Sequence, residues 1–278
     1  HVIMFHLIMS GSCWAALGDR EQNPVRLSSG DVVVFPNGHE NIMSSAPGAQ
    51  GLPDLSIYRR PVDQPLPFNL RHGADGPERT RFVCSFLGCD ARPFNPLLSA
   101  LPDMICAHHP EDGTDWVGDL FRMALAERDR KRAGTESVLA KLSELMFVEV
   151  VRRHIEALPG DSRGWLSGLR DHHIGNALKL IHGQPTRDWT LDGLAHEVGL
   201  SRTTFADRFS HFVGMPSMQY LARWRMQLAA RRLEQPGISI AEVAADVGYE
   251  SEAAFNRAFK KLIGTTPGTW RRGQHAQA

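Results

Sequence analysis

A weak internal repeat in the C-terminal third constrains this chain more than any other feature. Leu194-Ala195-His196-Glu197-Val198-Gly199 returns 49 residues later as Val243-Ala244-Ala245-Asp246-Val247-Gly248. Past one extra residue in the turn, Ser201, Phe205, Phe209 and Gly214 return as Ser251, Phe255, Phe259 and Gly264, at a spacing of 50. Each copy reads as a short helix, a glycine turn and a second amphipathic helix whose phenylalanines mark the buried stripe. Two helix-turn-helix units joined by a helix can read two turns of a DNA duplex. A tandem helical array that binds protein is the other reading.

In a helix-turn-helix the second helix buries one stripe and offers the other to the major groove. With Phe205, Phe209 and Phe212 inward, the first copy presents Thr203, Asp207 and Ser210, with Ala206 on the flank. With Phe255, Phe259 and Leu262 inward, the second presents Ala253, Asn256, Arg257 and Lys260. Arg and Asn bond bidentately to guanine and adenine edges, each pair worth roughly 1–3 kcal/mol of discrimination. The expected base readers are therefore Thr203, Ala206, Asp207, Ala253, Asn256 and Arg257, with Arg257 leading. Arg202, Arg208, Lys260 and Lys261 are the expected phosphate contacts, with Arg271 and Arg272 beside them; the alternative is plain solvated charge. The segment Met218–Leu233 between the copies carries Tyr220, Leu221, Trp224, Leu228 and Leu233 inward. A connecting helix of about 18 residues is roughly 27 Å long. With its flanking turns it can hold two reading helices about 34 Å apart, one turn of duplex.

Charge is distributed in the sense this requires. Net charge over the 278 residues is zero, but residues 1–170 hold 18 Lys/Arg against 21 Asp/Glu and residues 171–278 hold 13 against 10. The positive half is the one with the repeat. The longest apolar stretch, near Val2–Met9, is too short to span a bilayer, and no basic segment precedes it, so neither a membrane span nor a signal peptide is expected. The chain opens on His1 rather than methionine, and its true N-terminus is expected to be missing. Four cysteines without a short regular framework fit a reducing cytoplasm.

Residues 2–108 read mostly as strand. Val2–Ile8, Ser12–Leu17, Val32–Phe35 and Thr80–Leu87 are β-rich runs separated by turn signals such as Ser10-Gly11 and Asn37-Gly38. Pro47 to Pro53 and Pro61 to Pro77 read as loops, and Asn95–Leu101 as a short helix. Many short strands argue for a small β-sandwich or barrel. From Asp115 the period becomes helical. Trp116, Leu120, Met123 and Ala124 share one face; beyond Gly134-Thr135, so do Leu139, Leu142, Met146 and Val150, joined by Leu145, Val151, Ile155 and Leu158. This helical hairpin either packs on the sheet or forms a dimer seam. Residues 158–164 read as a linker, and residues 171–272 as almost wholly helical.

Three stretches together resemble the C-terminal domain of AraC/XylS-type transcription regulators. The first runs Trp189-Thr190-x-x-x-Leu194-Ala195-x-x-Val198-Gly199-x-Ser201-x-x-x-Phe205-x-x-x-Phe209. Trp224-Arg225-Met226 is the second, and Gly248-Tyr249-x-Ser251-Glu252-x-x-Phe255-x-x-x-Phe259 through Gly264-x-x-Pro267 the third. The resemblance covers roughly residues 171–272 and implies a seven-helix domain whose two helix-turn-helix units enter successive major grooves. Phe5-His6, Gly11-Ser12-Cys13-Trp14, Gly30-Asp31-Val32-Val33-Val34-Phe35-Pro36-x-Gly38, Phe82-Val83-Cys84 and Asn95-Pro96-Leu97-Leu98-x-x-Leu101-Pro102 are similar to that family's cupin-type sensor domain. This implies an effector-sensing barrel in residues 1–108 and dimerising helices in 115–158. Where relatives often carry a histidine after the Pro-x-Gly turn, this chain has His39-Glu40-Asn41, with Asn41 at that place.

Metal-dependent cupin chemistry needs about three histidines and a carboxylate facing inward. No His-x-His occurs in the β-rich region, where His6, His39 and Glu40 are partial remnants, and His108-His109 point to opposite faces if extended. A cupin enzyme fused to DNA recognition is thus the less favoured alternative, and no catalytic residue is expected. The spacing of Cys13, Cys84, Cys89 and Cys106 does not resemble a four-cysteine zinc cluster. His6, Cys84 and Cys89 are candidates for a redox or effector site, as the resemblance implies of cysteines in this region; the alternative is that the cysteines are buried small hydrophobes. The expected architecture is an α+β two-domain chain. Residues 1–160 form a cupin-like β-barrel sensor with a helical dimerisation hairpin, and residues 171–278 an all-α domain with two helix-turn-helix motifs. The expected function is that of a cytoplasmic, homodimeric, sequence-specific regulator. It binds promoter DNA and addresses RNA polymerase, with no required cofactor, no membrane, and a small-molecule effector or a metal as the signal.

Overall fold

The run Val32–Phe35 is buried along its whole length, and Val33 and Phe35, on one face, pack with Cys13, Ala15 and Leu27. The structure, a computed structural model, describes residues 1–18, 20–49, 79–89, 93–108, 116–130 and 132–275. The loop expected over Pro61 to Pro77 lies outside them, as does His109. In chain order the first elements are β1 (Val2–Ser10), β2 (Ser12–Leu17), β3 (Arg20–Ser28), β4 (Val32–Phe35), β5 (Asn41–Ser44) and β6 (Arg81–Gly88). There follow α1 (Pro96–Ala100), β7 (Ile105–Ala107), α2 (Trp116–Arg130) and α3 (Thr135–Ala157). Then come α4 (Trp165–Arg170), α5 (His172–Gly183), α6 (Leu191–Glu197), α7 (Arg202–Val213), α8 (Ser217–Leu233), α9 (Ile240–Asp246), α10 (Glu252–Ile263) and α11 (Pro267–His275).

The chain divides into two units: His1–Cys89 with Pro102–Ala157, and Asp90–Leu101 with Leu158–Ala278. In the first, two antiparallel sheets have strand orders β6-β1-β4-β7 and β3-β2-β5. Ile8, Val33 and Phe35 of one meet Cys13, Ala15 and Leu27 of the other in a buried core. β3 was not expected, since Arg20-Glu21-Gln22-Asn23-Pro24 is polar and carries a proline. It forms because it is an edge strand paired only with β2, and its register shifts between Ala15 and Leu17, beside Pro24. Edges and bulges are where a strand tolerates proline. β5 and the three-residue β7 were likewise too short to carry a periodic signal. α2 and α3 pack on each other, and α3 also packs on β6 and β7. Leu142, Met146, Val150 and Val151 of α3 are buried. Met123 and Leu145, placed by periodicity with the apolar faces of α2 and α3, stay exposed at 58% and 46%.

The second unit holds the helices of the repeat around two cores. Ile174, Leu178, Trp189, Leu194, Phe205, Phe209, Tyr220 and Leu221 form one. Met226, Leu233, Val243, Val247, Phe255 and Phe259 form the other. α8 enters both. The short α4 follows the expected linker.

Candidate nucleic-acid interface

The two copies are built by the same local rules. Thr190 and Ser201 cap α6 and α7, accepting from the N–H of Gly193 at 2.9 Å and of Thr204 at 3.2 Å. Ser239 and Glu242 form a reciprocal capping box at α9, and Ser251 caps α10 through the Ala254 N–H at 3.2 Å. α7 and α10 both end on a left-handed glycine, Gly214 at φ 76° and Gly264 at φ 85°. Phe205 and Phe209 in α7, and Phe255 and Phe259 in α10, are fully buried. Because those pairs point inward, the opposite face of each helix is left outside.

That face carries the expected readers. Thr203 and Asp207 are exposed on α7 and Ala206 is half-buried; Ala253 and Arg257 are exposed on α10 and Asn256 is half-buried. Lys260 and Lys261 are exposed as well, and neither they nor Arg257 has an ion pair among the described residues. The cations of α7 are engaged. Arg202 lies 3.6 Å from Asp192, both well exposed, an arrangement that solvent renders weak. Arg208 donates from Nε to Asp171 Oδ2 at 3.0 Å and from its terminal nitrogen to the same oxygen. Asp171 caps α5 through the N–H groups of His173 and Ile174. Burial acts to raise its pKa, but the Arg208 and backbone hydrogen bonds outweigh this and hold the carboxyl below its ordinary range. Arg208 thus has a structural task that sequence reasoning missed, since its partner is 37 residues away.

Arg225 was missed for the same reason. Half-buried on α8, it donates to Pro185 O at 2.7 Å, Arg187 O at 3.1 Å and Gly248 O at 3.3 Å. It thereby ties the loop before α6 to the turn of the second copy. Gly248 has two reasons to be glycine: its φ is 79°, and a Cβ there would stand 3.0 Å from Thr186 Cα and 3.1 Å from an Arg225 nitrogen.

In the first unit, β1 pairs His6 with Cys84 of β6, and the His6 Nδ1 to Cys84 Sγ distance is 3.0 Å. His6 is 2% exposed, and its Nε2 is buried with no hydrogen-bond partner among the described residues. Desolvation pushes His6 down to about 4 and the thiols of Cys84 and Cys106 up to about 11. The pair is a neutral imidazole and a neutral thiol, not a thiolate poised for oxidation. Cys89 donates its backbone N–H to His1 O at 2.9 Å, and all four cysteines are free. The other candidate ligands turn elsewhere. His39 Nε2 is 3.2 Å from Asp103 Oδ1, and the Glu40 side chain lies against Gly18. Asn41 donates to His39 O at 3.3 Å, and its Nδ2 is 3.6 Å from Met4 Sδ. Among the described residues no three His, Cys, Asp or Glu side chains form a group that could hold a metal.

A cupin profile matches residues 1–156 and a helix-turn-helix domain profile residues 194–273. Over 275 residues the chain is 30% identical to an AraC-like transcription regulator of Streptomyces lividans, covering 98% of this chain and 87% of that one. It is also 30% identical over 272 residues to the HTH-type transcriptional regulator AlkR of Acinetobacter baylyi, covering 97% and 87%. The chain belongs to the AraC family of transcription regulators. Among solved structures it is similar to the DNA-binding domain of AdpA in complex with a target DNA, at 27% identity over 38% of this chain and 96% of that one, with a TM-score of 0.37. This AraC-family chain is a DNA-binding regulator with a cupin-type N-terminal domain. No helix among the described residues is long and apolar enough to cross a membrane.

Proposed function

We propose that this AraC-family regulator reads two blocks of promoter DNA one helical turn apart through α7 and α10, with Arg257 as the principal base contact. The observation that carries this reading is the matched pair of exposed faces, each set by two buried phenylalanines, on helices joined by the 17-residue α8. At about 1.5 Å per residue α8 is roughly 26 Å long, and its flanking turns extend the span toward one duplex turn. The two readers are unequal. α10 offers Arg257, Lys260 and Lys261 without acidic partners among the described residues, whereas α7 offers Thr203 and the carboxylate of Asp207, suited to accept from a cytosine amino group. Selection from randomised duplexes tests this directly. Wild type is expected to enrich two blocks, and Arg257→Ala to blur one of them at a cost of roughly 1–3 kcal/mol there. Failure to enrich any motif at low salt, where phosphate contacts are strongest, contradicts the reading.

The sensing and dimerising parts rest on separate observations. Exposed Val138, Leu145 and Val148 lie along one side of α3, bordering its buried stripe. This side is the proposed homodimer seam, and Leu145→Glu is expected to yield monomers in sedimentation velocity; an unchanged dimer moves the seam elsewhere. The proposed effector site is centred on His6, whose buried Nε2 has no hydrogen-bond partner among the described residues and is available to a ligand. Small molecules or metal ions that raise the melting temperature of wild type are expected to lose that shift in His6→Asn. Hits indifferent to the substitution place the site elsewhere. RNA polymerase is the proposed recipient of the signal, to be read by run-off transcription from the selected duplex.

A further inference from the structure

Pro93–Leu101 lies in sequence between β6 and β7, strands of the first unit, yet it packs into the second. Its fold is local: Asn95 caps α1 by accepting from the Leu98 N–H at 3.1 Å, with Pro96 at the first helical position. Its docking is not local. The backbone N–H of Phe94 donates to Gln227 Oε1 at 2.8 Å, across 133 residues of sequence. The Phe94 ring meets Tyr220 edge-on at 5.7 Å between centroids, and the Arg223 guanidinium lies 5.9 Å from that ring. Tyr220 is itself held, its hydroxyl accepting from Trp165 Nε1 at 3.0 Å and lying 2.8 Å from His182 Nε2.

Tyr220, Arg223 and Gln227 recur at helical spacing and form one face of α8; on a 3.6-residue wheel Arg225 lies on the opposite face. The stretch between Leu221 and Met226 is where α8 passes from the first core to the second. Gln227 is 3% exposed, and burying an amide here is unfavourable unless its oxygen finds a donor. That donor is a backbone group of the Pro93–Leu101 segment. Had packing alone been needed, an apolar residue would serve. The contact is small, one hydrogen bond and one ring edge, so a modest free-energy change is enough to release it.

We propose that Pro93–Leu101 is a brace on α8 that holds the two reading helices at their DNA spacing, and that the chain running from it into β6 and β7 lets the N-terminal unit tighten or release it. The inference rests on the two-block reading above. Its test uses the full chain carrying Phe94→Leu, which keeps apolar bulk without the aromatic edge, or Gln227→Met, which keeps length without the acceptor. Affinity is measured on the duplex selected by wild type and on the same duplex with one block scrambled, alongside hydrogen exchange of α8. Each variant is expected to bind the two-block duplex about tenfold more weakly, to change by less than about twofold on the one-block duplex, and to exchange faster across residues 220–228. The double variant should be no weaker than the weaker single one, because each substitution releases the same docked segment, one through the Phe94 ring on Tyr220 and the other through the Gln227 acceptor. Unchanged two-block affinity, or equal weakening on both duplexes, overturns the brace; the latter is what partial unfolding gives. If wild type selects no two-block duplex, the DNA reading fails, and unchanged exchange of α8 in both variants independently refutes the docking role.

Discussion

Replacing Phe209 with alanine is expected to destabilise the C-terminal unit by about 3–5 kcal/mol, a fall of roughly 15–25 °C in its melting temperature. Phe209 is fully buried and packs against Phe205 at 5.6 Å and Tyr220 at 5.9 Å between ring centroids, so α6, α7 and α8 share the void it leaves. Such a loss is a large part of what a domain of this size has. Phe209→Leu, which keeps most of the volume, should cost less than about 1.5 kcal/mol. Denaturant melts followed by tryptophan fluorescence measure both, since Trp165, Trp189 and Trp224 pack against that core. Equal, small effects from the two substitutions would show that the phenylalanine stripe does not organise the first helix-turn-helix.

Arg225→Ala is expected to cost about 3 kcal/mol, through loss of charge-assisted hydrogen bonds and the exposure of their acceptors. Three carbonyls, of Pro185, Arg187 and Gly248, lose their donor together, and no other residue on α8 reaches both helix-turn-helix units in this way among the described contacts. Arg225→Lys should recover only a small part, because one ammonium cannot reproduce the planar fork. The diagnostic observable is the shape of the melt. Wild type should unfold its two helical cores together, and Arg225→Ala should separate or broaden the transition. A single sharp transition with unchanged midpoint contradicts the role assigned to this arginine.

The parts readable from sequence are those whose signal is local. The phenylalanine spacing, the serine and threonine caps and the glycine turns each act within a few residues, so α6, α7, α9 and α10 and their exposed faces follow from pattern. The strands Val2–Ser10 and Val32–Phe35 were readable for the same reason. β3 was hidden because its polar, proline-bearing start makes sense only on a sheet edge. Arg208 read as a phosphate contact because nothing nearby announces Asp171. The docking of Phe94 on Gln227 was out of reach altogether: one partner is a backbone group, and a glutamine within a helix carries no pattern that sets it apart. Exposed Leu145 shows the converse limit, since periodicity finds an apolar face but does not say what covers it.

Methylation protection on the selected DNA shows whether α7 and α10 enter successive major grooves on one face of the duplex. Guanine N7 lies in the major groove, where the reading helices are placed. Two protected patches centred about 10–10.5 base pairs apart are expected, with the patch under α10 lost in Arg257→Ala. A single patch would contradict entry into two grooves, and affinity without any protected N7 would leave the repeat binding the DNA backbone alone.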